Sequence, residues 1–96
     1  MSILYHVFEE ADGVLGTAEY RLISETDEGF IFEFTDGTIK TIYVPADDHC
    51  LGTDKRKLLE NRVIKEAALL KEERDPTVRA RFQACLEQAK EMLAAL

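Results

Sequence analysis

A chain of 96 residues, 46% hydrophobic and 32% charged, has the balance of one small globular domain. It is too short to hold separate cofactor and substrate domains, and no apolar run approaches the ~20 residues of a bilayer span. Nineteen acidic against twelve basic residues give a net charge of −7, which argues against non-specific binding of nucleic acid or an acidic membrane.

Residues 1–44 read as a β-meander. The first hairpin turns at Asp12-Gly13; counting outward from a two-residue loop pairs Val7 with Ala18, Tyr5 with Tyr20 and Ile3 with Leu22. Gly16 invites a bulge in its second strand. Ser24–Gly29 is a polar link, and Asp36-Gly37 turns the second hairpin. The same counting places Glu33 opposite Lys40, Ile31 opposite Ile42 and Phe30 opposite Tyr43. Phe30, Phe32 and Phe34 then share a core face with Ile39 and Tyr43, and the reverse face keeps Ile31, Ile42 and Val44. Pro45 closes the fourth strand, and residues 45–52 form a connection.

Residues 53–96 read as two helices. Thr53 or Asp54 caps the first, which runs to about Arg74 with an inward stripe of Leu59, Val63, Ala67 and Leu70. Leu58 and Leu69 flank that stripe, and Ile64 lies at its other edge. Asp75-Pro76 interrupts the pattern and starts a second helix with Asp75 as N-cap. Its stripe is Val78, Phe82, Cys85, Leu86, Ala89, Met92, Leu93 and Leu96. The expected fold is a single α+β domain over 1–96, a four-stranded antiparallel meander followed by a C-terminal helical hairpin.

Charge and cysteine usage bear on the compartment. Residues 1–52 hold two basic residues, Arg21 and Lys40, against eleven acidic ones; residues 53–96 hold ten basic and eight acidic. Acidic turns between strands and mixed-charge helices account for the split. Two cysteines, Cys50 and Cys85, are too few for a secreted disulfide scaffold, and the N-terminal run lacks a basic n-region. The expectation is a cytoplasmic protein with free thiols.

No GxSxG, HExxH, Walker, GxGxxG or CxxC motif is present, so nothing positive supports an enzyme. Asp47-Asp48-His49-Cys50 is the one cluster of reactive types, with donors suited to a transition metal or a thiol reaction. Neighbours in an extended segment point apart, however, and Asp47 and Asp48 are also natural turn formers. The reading therefore assigns no metal, cofactor or catalytic residue. Lys55-Arg56-Lys57 opposes the helix dipole in the first turn and could hold a phosphate or a nucleic-acid backbone. Neutralisation by Asp47, Asp48 and Asp54 is the alternative. A surplus apolar set, Ile31, Ile42, Leu58 and Leu69, lies off the expected core. On that set rests the function expected here: a small non-catalytic interaction module that binds another protein or itself, as a homodimer. The alternatives are an anion binder at Lys55–Lys57 and a small metal- or thiol-dependent enzyme using Asp48, His49 and Cys50.

Overall fold

The computed structural model describes residues 2–44 and 48–96. The parts of the sequence reading that fall on Pro45, Ala46 and Asp47 lie outside these residues. Seven elements follow in order: β1 (Ile3–Ala11), β2 (Val14–Glu25), β3 (Gly29–Glu33), β4 (Ile39–Tyr43), β5 (Leu51–Gly52), α1 (Lys55–Glu72) and α2 (Pro76–Ala94). The meander and the two helices are those the sequence leads one to expect. A short fifth strand is added within the connection, pairing Tyr5 with Gly52 and His6 with Leu51. The sheet order is β4-β3-β2-β1-β5, antiparallel throughout.

Both Asp-Gly pairs turn the chain: the first is the two-residue loop between the paired Ala11 and Val14, though without the expected backbone geometry, and the second belongs to a longer loop. The expected geometry needs positive φ at both positions. Here only the glycines are left-handed, φ 77° at Gly13 and 87° at Gly37, and no other described residue is. At the second hairpin, the Gly37 N–H donates to the Phe34 carbonyl (2.9 Å) and the Phe34 N–H to the Thr38 carbonyl (2.8 Å). The loop is thus three residues long, a tight turn followed by a left-handed glycine. The Asp36 carboxylate fixes it by accepting from the Thr38 N–H and hydroxyl at 2.9 and 2.6 Å.

That extra loop residue shifts the register by one. Glu33 faces Ile39, Phe32 faces Lys40 and Phe30 faces Ile42, so the expected Glu33–Lys40 pair does not form. Glu33 instead pairs across the sheet with Arg21, whose Nε lies 2.7 Å from its carboxylate. Lys40 lies over the Phe34 ring, 5.0 Å from its centre. A one-residue slip exchanges the faces of a strand. Ile42 joins the phenylalanine side, while Ile39 and Tyr43, expected in the core, are 57% and 71% exposed. The first hairpin shifts in the same direction. Ala11 pairs with Val14, but a bulge between Glu9 and Ala11 then sets Val7 opposite Thr17 and Tyr5 opposite Glu19. The irregularity falls in β1 rather than at Gly16.

Two cores result, one on each side of the sheet. The helices pack on β1, β2 and β5, and Val7, Leu15, Leu58, Leu59, Cys85 and Ala89 are buried between the layers. On the other side Leu4, Phe30, Phe32 and Leu51 are buried, with Tyr20, Leu22, Phe34, Ile42 and Val44 packed against them. That second core needs no covering helix because the sheet curls. Phe30 of β3 and Leu51 and Gly52 of β5, strands that β2 and β1 separate in the order, line one groove of about 570 Å³. Bulges sharpen such bending, and this sheet has one in each of its first two strand pairs, the second between Leu22 and Ser24 of β2.

The helix boundaries follow local chemistry. Asp54 caps α1 by accepting from the Lys57 N–H at 3.1 Å, and Asp75 caps α2 by accepting from Thr77 and Val78 at 2.9 and 3.2 Å. Pro76 at the first helical position has no N–H to leave unpaired. The α2 stripe lies inward as expected, except that Leu96, past the helix end, is exposed. The α1 stripe does so in part: Leu59 is buried, Val63 packs against the core and Leu70 is half-buried, but Ala67 is exposed. The buried line of α1 is Leu58, Leu59, Arg62 and Glu66, and Ile64 faces solvent. No helix among the described residues is long and apolar enough to cross a membrane.

Candidate functional site

The residues singled out from the sequence scatter across the molecule. Leu58 is 2% exposed in the core beneath α1, so it is not surface at all. Ile42 is half-buried against the phenylalanines, while Ile31 and Leu69 are half-buried on different layers. The four do not form one patch. Of the large apolar side chains that are open, Val14, Ile23, Ile64 and Leu96 lie on other elements, and the pair on one strand is on β4, where Ile39 and Tyr43 project from the same face on either side of Thr41. Through the pairs Glu33–Ile39 and Arg21–Glu33, this is the side of the sheet that carries Leu15 under the helices. β4 is also an edge strand: it pairs with β3, and among the described residues no strand lies along its other side.

Lys55, Arg56 and Lys57 do not converge. The Lys55 ammonium lies 5.8 Å from the centre of the Tyr5 ring, Arg56 is exposed, and Lys57 lines the groove. Glu25, Asp27, Asp48 and Asp54 line the same groove, four acidic residues to the one lysine, a setting that repels rather than attracts an anion.

The loop before β5 brings reactive groups together, against expectation. One carboxylate oxygen of Asp48 (Oδ2) accepts from the N–H groups of Cys50 and Leu51 at 3.0 and 2.7 Å. Residues 48–50 are therefore bent, not extended, and three consecutive side chains face one another. A ligand atom from each of Asp48, His49 and Cys50 lies within 4.8 Å of the other two. Asn61 of α1 holds the loop by donating to the Asp48 carbonyl at 3.3 Å, and the Cys50 carbonyl accepts from Val7 at 2.8 Å.

Arg62 lies behind this loop, 6% exposed, with Glu66 beside it at 5%. One guanidinium nitrogen donates to the Val7 carbonyl at 2.8 Å and lies 3.6 Å from the Cys50 sulfur; the other meets Glu66 at 3.2 Å. Arg62 Nε and Glu66 Oε2 are buried without a hydrogen-bond partner. Burial, and then the Arg62 charge, hold the imidazoles of His6 and His49 below the usual histidine range, with Asp48 acting in the opposite sense. Burial pushes the Cys50 thiol up. Sequence periodicity missed Arg62 and Glu66 because charged residues are counted as outward. Their signal was position: both fall on the line from Leu58 and Leu59 to Leu69, four residues apart.

A second polar contact ties α2 to the sheet. Arg81 grips Glu9 with two nitrogens at 2.6 and 2.5 Å, and the Glu9 carboxylate also accepts from Gly13 at 2.9 Å. The guanidinium holds the Glu9 carboxyl down to about 2. Cys85, whose Sγ is 3.6 Å from that carboxylate, is buried, and burial with the Glu9 charge pushes its thiol up to about 11. Both cysteines are free.

No family model, no curated protein and no solved structure matches this chain.

Proposed function

We propose that the chain is a non-catalytic interaction module whose docking element is β4 and whose partner is a second copy of itself. The observation that carries this is a free edge strand with two large apolar side chains, Ile39 and Tyr43, exposed on one face. Edge strands expose unpaired backbone donors and acceptors, and short edges dressed with charge usually blunt them. β4 has one charge, Lys40, and is otherwise Ile, Thr, Ile and Tyr.

The pattern is self-complementary. Antiparallel pairing of two β4 strands centred on Thr41 sets Ile39 opposite Tyr43 of the second copy, twice by symmetry. Aromatic and β-branched cross-strand pairs are favourable, and a two-fold interface uses the same patch on both chains. The net charge of −7 opposes association, but exposed charges are screened beyond ~8 Å at physiological salt.

Sedimentation equilibrium across a range of concentrations tests the reading. Wild-type protein dimerises, and Ile39→Asp with Tyr43→Asp returns it to monomer with an unchanged circular dichroism spectrum. Ile64→Asp, at an equally open position on α1, leaves the dimer intact. A wild-type monomer at the highest concentration reached, or a dimer indifferent to the β4 substitutions, refutes it.

A further inference from the structure

We infer that Asp48, His49 and Cys50 form a binding site for a divalent transition ion of the zinc class, in addition to the docking role of β4. Three observations converge on it. The first is the donor set: a carboxylate oxygen, an imidazole nitrogen and a sulfur, each within 4.8 Å of the others. In a tetrahedral zinc site such atoms lie about 3.5 Å apart, given metal–ligand distances of ~2.0–2.3 Å. Side-chain rotation of about 1 Å closes the difference. Oxygen, nitrogen and sulfur together suit zinc or cobalt and not magnesium or calcium, which take oxygen alone.

The second observation is that the loop is already shaped for convergence. Asp48 uses Oδ2 to accept from the Cys50 and Leu51 N–H groups, and Oδ1 takes no part in that turn. The loop is anchored on both sides, by Asn61 of α1 and by Val7 of β1. All three side chains are half-buried rather than spread in solvent.

The third observation comes from behind the loop. Arg62, more than nine-tenths buried, directs at the Cys50 sulfur from 3.6 Å the same nitrogen that donates to the Val7 carbonyl. A neutral thiol is a weak acceptor and offers a buried guanidinium little. A metal-bound thiolate is an anion and accepts strongly. Arg62 thus stands where an outer partner of a thiolate ligand stands in metal sites, orienting the sulfur and balancing its charge. Glu66 holds Arg62 in turn. Three protein ligands leave a fourth position to solvent. On binding, the Cys50 S–H bond breaks, its proton passes to water, and the sulfur lone pair forms the metal bond.

Cobalt(II) is the probe, added to the reduced, tag-free, metal-free full chain. The expected result is a thiolate-to-cobalt charge-transfer band that saturates at one equivalent and is displaced by zinc. Cys50→Ser abolishes the band and Cys85→Ser keeps it. His49→Ala and Asp48→Asn, the latter able to keep the turn, each weaken cobalt binding at least tenfold. Absence of the band, a band that never saturates, or one that survives Cys50→Ser overturns the inference. Should Cys50→Ser fail to fold, alkylation of the wild type decides: zinc must slow labelling of Cys50 and leave Cys85 unchanged, and equal labelling of Cys50 with and without zinc refutes the site.

Discussion

The half of the sheet under the helices and the half formed by β3 and β4 are built from similar residues and end in different states. Under the helices, Val7 and Leu15 are sealed by Leu58, Leu59, Cys85 and Ala89. On the same side of β4, Ile39 and Tyr43 stay open. What separates them is cover, not composition. Two helices of 18 and 19 residues cross β1, β2 and β5, and the outer strands lie beyond their main contacts. An apolar residue in a strand therefore reports a buried position only once the layer above it is known.

The comparison breaks hardest at Arg62. Its replacement by Ala strands the Glu66 charge in the covered half, at a cost of about 3–5 kcal/mol in a urea melt. Converting both residues together, Arg62→Met with Glu66→Leu, should recover most of that loss, since a well-packed apolar pair replaces an ion pair at little cost. A double variant as unstable as Arg62→Ala would show that the hydrogen bond to Val7, and not the charge balance, holds this layer.

Leu59→Ala comes next. The side chain is fully buried, and truncation should cost about 3 kcal/mol. A melt midpoint unchanged by this substitution would mean that α1 does not seal the sheet.

Glu9 gives a smaller and pH-dependent effect. Its folded carboxyl is held down to about 2 from an ordinary 4.5, chiefly by the hydrogen bonds from Arg81. A depressed carboxyl stabilises the fold fully above its ordinary value and loses that contribution as pH falls towards 2. Glu9→Gln should therefore be less stable than wild type at pH 7, by about 1–2 kcal/mol with Arg81 half-exposed. The two proteins should converge between pH 4.5 and 2. A gap that persists at pH 2 would assign the effect to packing.

The smallest change is expected on the open half. Ile39→Ala or Tyr43→Ala should move monomer stability by less than about 0.5 kcal/mol. A loss comparable to that of Leu59→Ala would place these side chains in a core.

The sequence shows the element types and both helix caps, because Asp54 and Asp75 act through bonds to residues two or three positions away and Pro76 through its own missing N–H. It shows the turns but not their length. Asp-Gly serves both as a two-residue loop and as the last two positions of a three-residue one, and the longer loop is held by the Asp36–Thr38 bonds. One residue of difference exchanged Ile42 for Ile39 and Tyr43 at the surface. β5 escapes notice because two residues carry no periodicity; their partners are in β1. The Asp48–Cys50 cluster was visible as residue types, and its convergence was not, since that depends on a bend made by Asp48 itself.

The position of β5 has a consequence for synthesis on the ribosome. β1 through β4 are joined by short turns, so each can pair as soon as its neighbour emerges. The outer edge of β1, however, waits for Leu51 and Gly52, more than forty residues later in the chain, and for the Cys50 carbonyl that accepts from Val7. Until that segment leaves the exit tunnel the nascent sheet has two bare edges, at β1 and at β4. A pause before residue 52 would therefore prolong the interval in which the growing chain is most open to unwanted strand pairing. Completion of β5 covers β1 at Tyr5 and His6 and moves that edge of the sheet to a strand of two residues, while the edge at β4 stays five residues long.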